Sequence, residues 1–109
     1  MNCVAIQAGT TGSGPPPGNP PVASFDIFDL NQDEYVPPAQ PISGETLQFT
    51  DTSTNNPTSW NWELNSVQFS LDQNPSYYIS SPGVYKFSLT AYNAYGQNTY
   101  TAPTIVVTY

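Results

Sequence analysis

The chain has 109 residues, one Lys or Arg, eight Asp or Glu, no His and a formal net charge of −7. That length suits one domain, which buries roughly two-thirds of its unfolded surface and folds without staples. The charge leaves no basis for a nucleic-acid partner or an anionic membrane surface, since both call for clustered Lys and Arg and Lys86 stands alone.

Met1 to Gln7 carries a short apolar run, Cys3-Val4-Ala5-Ile6, with no basic start and too few apolar residues for a secretory signal. The expectation is a protein made in the cytoplasm and not exported by that route. Cys3 is the only cysteine, so no internal disulfide forms. No stretch approaches the ~20 apolar residues of a membrane span. Ala8 to Gly14 is a Gly/Ser/Thr tether, and Pro15 to Pro21 favours extended polyproline II. Residues 1–21 are therefore read as an extended N-terminal arm and residues 22–109 as the domain.

From Val22 onward the apolar period is two. Ala23, Phe25 and Ile27 alternate in the first strand, and Leu47 and Phe49 in the next. Between them, Asp29 to Gly44 holds Pro37, Pro38 and Pro41 and suits a connection rather than a central strand. After the turn-rich run Asp51–Pro57, Trp60, Trp62 and Leu64 lie at i, i+2 and i+4, placing both tryptophans of the chain on one strand face. Short strands are expected around Val67–Phe69 and Ser76–Ile79. Val84–Tyr92 is the best-patterned strand, with Tyr85, Phe87, Leu89 and Ala91 on one face that the tryptophan strand is expected to face. Asn93–Gly96 is a hairpin turn, and the last strand, Gln97–Tyr109, is broken near Pro103. About seven short strands without helical period predict an all-β sandwich. Its expected core includes Phe25, Phe49, Trp60, Trp62, Tyr85, Phe87 and Leu89.

Six short motifs fall in a telling order: Leu47-Gln-Phe-Thr-Asp-Thr-Ser53, Trp60-Asn-Trp62, Asn74-Pro75, Pro82-Gly-Val-Tyr85, Leu89-Thr-Ala91 and Asn93-Ala-Tyr-Gly96. Over about residues 22–109 the chain resembles PKD domains. The resemblance implies an immunoglobulin-like (PKD-type) β-sandwich. Tyr85, after a Pro-Gly turn, looks like a tyrosine corner, whose hydroxyl bonds to nearby backbone. One departure is plain. The family usually continues Trp-x-Trp with Asp-Phe-Gly-Asp-Gly, whereas this chain continues Glu63-Leu-Asn-Ser-Val67, so the following turn must be built another way.

Catalysis has no constellation to rest on. Without histidine no Ser/His or Cys/His pair forms, and Cys3 has no partner base. No enzyme activity and no cofactor are expected. Asp29, Asn31 and Asp33 match the first ligand positions of a calcium loop, but Glu34 stands at the sixth position and Gln40 at the twelfth, so a solvated acidic loop is the preferred reading. Tyr35, Tyr95 and other tyrosines cannot all be core, so loop tyrosines, Tyr35 and Tyr95 above all, are candidate contacts to surface glycans. The arm offers another use: Cys3, Val4, Ala5 and Ile6 on a tether could join a neighbour's sheet edge or groove.

The leading expectation is a non-enzymatic structural module: a bacteriophage capsid decoration or cement protein, on the virion surface, held by its arm to capsid subunits or copies of itself. The alternatives are a secreted or cell-surface adhesion module that binds glycan or protein, and an extracellular filament subunit.

Overall fold

The computed structural model describes residues 18–109, so Cys3, Val4, Ala5 and Ile6 lie outside the described residues. The described chain is all-β, in ten strands. These are β1 (Phe25–Asp29), β2 (Glu34–Tyr35), β3 (Thr46–Asp51), β4 (Ser59–Leu64), β5 (Val67–Ser70), β6 (Ser76–Tyr78), β7 (Gly83–Tyr85), β8 (Phe87–Asn93), β9 (Gly96–Thr101) and β10 (Ile105–Val107). One sheet runs β2-β1-β3-β6 and the other β9-β8-β4-β5, with β7 and β10 paired as a two-stranded extension. The number exceeds the expected seven for local reasons. Glu34 and Tyr35 pair with β1, and the two longest strands each divide in two.

Each division has a physical cause. The predicted strand Val84–Tyr92 breaks at Lys86, whose N–H donates to Asn65 Oδ1 at 2.9 Å while its carbonyl accepts from Asn65 N at 2.8 Å. Both backbone groups of Lys86 are thus taken by the turn between β4 and β5. In the last strand, Pro103 has no N–H to give a ladder, and pairing resumes at Ile105 opposite Tyr85.

Side chains at alternate positions of the two sheets meet in the middle. Leu47, Phe49, Trp62, Ile79, Phe87 and Leu89 are wholly buried, and Phe25 and Tyr85 nearly so. Trp62 does not face Leu89. The two are register partners on neighbouring strands of one sheet, and the indole meets Phe25 at 4.8 Å and Phe49 at 5.3 Å between ring centroids. The expectation that the tryptophan strand faces the Tyr85–Leu89 strand is thus corrected, because β4 and β8 lie side by side. Trp60 shares the face of Trp62 but is only half-buried, with its Nε1–H donated to Asp51 Oδ2 at 2.9 Å. Tyr85 donates its hydroxyl to Ser81 O at 2.6 Å, the geometry of a tyrosine corner.

The sheets do not close along one side. After Tyr35 the proline-rich segment Val36–Pro41 crosses from β1 toward β10, where Ile42 forms a parallel bridge with Thr108. Val36 N donates to Ile27 O and Ser43 N to Thr108 O. Between these fixed ends the three prolines add no ladder donors, while Ala39 and Pro41 of the crossing chain are buried.

Candidate functional site

Two surfaces stand out, and the first is the hairpin end of the sandwich. Asn93 and Gly96 pair across the two-residue loop Ala94-Tyr95, and Tyr95 N donates to Asn93 Oδ1 at 2.8 Å. Gly96 has φ +147, which favours glycine, and an added Cβ would come within 3.3 Å of Pro20. Asn93 Nδ2 donates to Asn19 O at 2.9 Å and to Asn55 O at 2.8 Å. Asn55 Nδ2 donates to Pro20 O at 3.0 Å, Val22 bridges Thr54, and Ala23 N donates to Asn98 Oδ1 at 2.7 Å. A Cβ at Gly18 would overlap the ring of Tyr95. Residues 18–23 are therefore fastened by three different loops or strands, starting four residues before the first predicted strand.

This end also holds a hollow of about 330 Å³ lined by asparagines, Thr58 and Tyr95. Neutral amides beside a tyrosine suit a sugar in principle. Yet the amides of Asn93 and Asn55 are already spent on the backbone of Asn19, Pro20 and Asn55, and the Tyr95 ring rests on Gly18. Tyr95 and Tyr35 are both exposed but belong to different sites.

The second surface is the open side. Two hollows of about 540 and 340 Å³ share Ile27, Val36, Pro37, Ala102 and Pro103 in their walls and so form one groove. Tyr35 and Tyr100 stand at one end, and Val106, 63% exposed, at the other. Tyr35 is held edge-on against Phe28, 5.0 Å between centroids. Asp26 is the one acidic residue in its walls.

The loop weighed for calcium is built around backbone instead. Asp29 is wholly buried, and its Oδ1 accepts from Asn31 N at 2.9 Å and Gln32 N at 3.0 Å. Asn31 Oδ1 accepts from Thr46 N at 2.8 Å, and Asp33, exposed, takes a left-handed φ of 56. Asp29 and Asn31 are thus occupied as turn formers. Among the described residues no three His, Cys, Asp or Glu side chains gather as a metal site. Asp29 Oδ2 is buried and receives no N–H or O–H from the described residues, yet the Glu45 carboxyl lies within hydrogen-bond reach. Burial first, and the Glu45 carboxyl second, raise the Asp29 carboxyl above the usual range. Burial acts on Glu45 in the same direction but is outweighed by hydrogen bonds from Asp29, Gln32 and Ile42 N, so Glu45 is lowered. Asp29 is thus the carboxyl of the pair that more readily holds a proton, and Glu45 the one that more readily ionises.

No family model and no curated protein matches the sequence. Solved structures do. The PKD1 domain of the Vibrio cholerae metalloprotease PrtV aligns with a TM-score of 0.61 at 22% identity, covering 83% of this chain and 99% of that one. The PKD1 domain of Vibrio anguillarum Epp aligns at 0.62 and 22%, covering 84% and 98%. The PKD domain of the human VPS10 domain-containing receptor SorCS2 aligns at 0.62 and 15%, covering 99% and 94%. This chain has the PKD fold.

Within the PKD fold, the residues that carried the resemblance have local duties. Asp51 accepts from Ser53 N, Trp60 Nε1 and Gln73 Nε2, so the Asp-Thr-Ser run fixes a tryptophan. Asn74 Oδ1 accepts from Asp51 N at 2.8 Å, joining the Asn-Pro motif to the same corner. The turn that departs from the family pattern is a two-residue hairpin, Asn65-Ser66, with φ of 50 and 68 and Leu64 paired with Val67. Both signs are those of a type I′ turn, so asparagine does here what glycine would do. Sequence reasoning passed over the groove and the clamp. Proline runs at Val36–Pro41 and a cluster of asparagines were legible, but their partners lie up to 75 positions away.

Proposed function

We propose that this protein is a non-enzymatic binding module of a multi-subunit surface assembly, joined to its neighbours through residues 1–17. The setting that suits it is the outer surface of a virion, as a capsid decoration or cement protein. The observation that carries this reading is the fastening of Gly18–Ala23 at the hairpin end. A tether that merely trailed from a domain would have no use for so many bonds at its root. Fixed there, the chain enters the sandwich at one defined place, and pull on the arm passes into β1, β8 and β9. The PKD fold agrees with a binding or spacing role, and a chain without histidine assembles no Ser/His or Cys/His pair.

The test compares the full chain with one lacking residues 2–14, by sedimentation in reducing buffer. The full chain is expected to associate as concentration rises and the shortened one to remain monomeric. Equal association of both would overturn the reading. Mass spectrometry of purified virions tests the setting, and recovery solely from particle-free supernatant would favour the alternative, an adhesion module. The hollow beside Tyr95 is what favours that alternative, and a glycan array with Tyr95→Ala as control examines it.

A further inference from the structure

We propose that the carboxyl pair Asp29–Glu45 is a pH-operated latch on the far end of the proline crossing, closed while one proton bridges the pair and released when both carboxyls ionise. Three observations lead there, and none depends on the arm-joined reading above.

The first is what the pair holds. Glu45 Oε1 accepts from Ile42 N and from Gln32 Nε2, both at 2.9 Å. Gln32 Nε2 also donates to Gln40 O at 2.9 Å. One carboxyl thus fastens both ends of Gln40–Ile42, directly at Ile42 and through Gln32 at Gln40. Gln40 and Pro41 are part of the groove wall on the open side. Pro37, Pro38 and Pro41 bring no N–H of their own, so side-chain bonds do much of the fixing here.

The second is the unequal freedom of the partners. Asp29 is wholly buried in β1, paired with Glu34 and Leu47, and its Oδ1 is held by Asn31 N and Gln32 N. It has no room to turn away. Its buried Oδ2 receives no N–H from the described residues and has the Glu45 carboxyl within reach. Glu45 is 8% exposed, and its backbone is pinned by Ile79 N donating to Glu45 O at 2.9 Å. When Asp29 gives its proton to water, two like charges face each other away from solvent. The smallest movement that relieves them swings the Glu45 side chain outward, which drops Ile42 N and Gln32 Nε2.

The third is the lack of a counter-charge. Lys86 is the only Lys or Arg of the chain, and its backbone is bound to Asn65 at the β4–β5 turn. The other titratable groups around the pair are all acids. Glu34, opposite Asp29 on β2, and Asp33 are exposed, and Asp26 lies on the other face of β1. Tyr78, opposite Thr46 on β6, and Tyr109, past β10, are exposed phenols. None of these offsets a second negative charge, so a proton must. Burial and Glu45 raise the Asp29 carboxyl, so the latch is closed in acid and opens as pH rises above the ordinary Asp range of about 4.

The experiment follows the full chain by NMR from about pH 4 to about pH 9, a range that covers the shifts burial produces. Protection of the Ile42 amide from hydrogen exchange, relative to its unstructured rate, is read beside that of Ile79. Ile42 protection is expected to fall at least tenfold as pH rises, in step with the Asp29 carboxyl carbon shift, while Ile79 holds. Asp29→Asn and Glu45→Gln each leave one charge and place a permanent N–H between the two side chains, so Ile42 should stay protected throughout in both. Unchanged Ile42 protection in the parent would overturn the latch. So would an equal fall at Ile79, which would mark general loosening, or a fall that persists in either folded variant.

Discussion

Trp62 shows how a single residue can be large, apolar and still need a polar partner. It is fully buried between Phe25 and Phe49, and its Nε1–H reaches Asp72 O at 2.8 Å. Trp62→Ala is expected to cost about 3–5 kcal/mol, read from denaturant unfolding, because a cavity and an unpaired carbonyl appear together. Tyr85→Phe removes the 2.6 Å bond to Ser81 O and should cost about 1 kcal/mol, with the ring packing kept. The Asp29–Glu45 pair has a distinct signature. With its carboxyl raised in the fold, Asp29 stabilises when protonated, and that contribution fades as pH rises through the raised value. Glu45 is lowered, so its contribution is present above its unfolded value and fades as pH falls. Asp29→Asn keeps an acceptor for Asn31 N and Gln32 N and supplies a permanent donor to Glu45. Its melting temperature relative to the parent should therefore climb as pH rises above about 4, the ordinary Asp range. A flat difference would mean the two carboxyls do not share a proton.

Among the elements, the β4–β5 turn has an influence beyond its two residues. Asn65 adopts the left-handed conformation, and its side chain accepts from Lys86 N and donates to Val84 O. It thereby sets where the long strand divides into β7 and β8. Asn65→Gly keeps the turn and loses the side-chain bonds, whereas Asn65→Ala loses both. The expected order of thermal stability is Asn, then Gly, then Ala, with Ala down by about 2 kcal/mol. The alternation of apolar residues made β1, β3, β4 and β8 legible beforehand. The division at Lys86 was not, because it depends on a residue 21 positions away.

For the whole molecule, the uneven charge is the governing feature. All eight acids and Lys86 lie in residues 22–109, and the arm carries no charged side chain. The association proposed through residues 1–17 should accordingly hold or strengthen as salt rises, since salt screens the repulsion between acidic domains and leaves apolar contacts intact. Sedimentation at about 0.02 and 0.5 M salt checks this, and weakening at high salt would point to ion pairing instead. The clamp at Asn93 belongs to the same scale. Asn93→Ala should release the Asn19 carbonyl, raise hydrogen exchange at Tyr95, whose N–H loses its acceptor, and leave the core unfolding nearly unchanged.

Period-two alternation, residue size and turn chemistry in the sequence determined the all-β class, the buried tryptophan, the tyrosine corner and the likeness to the PKD fold, because these follow from near neighbours along the chain. Only the tertiary structure decided which strands sit beside each other and which face across the core. It also decided that Asp29 and Asn31 serve the backbone, that Tyr95 lies against Gly18, and that the sandwich is left open beside Pro37 and Pro103. Each of those depends on groups brought together from distant positions, and no local pattern encodes such a meeting.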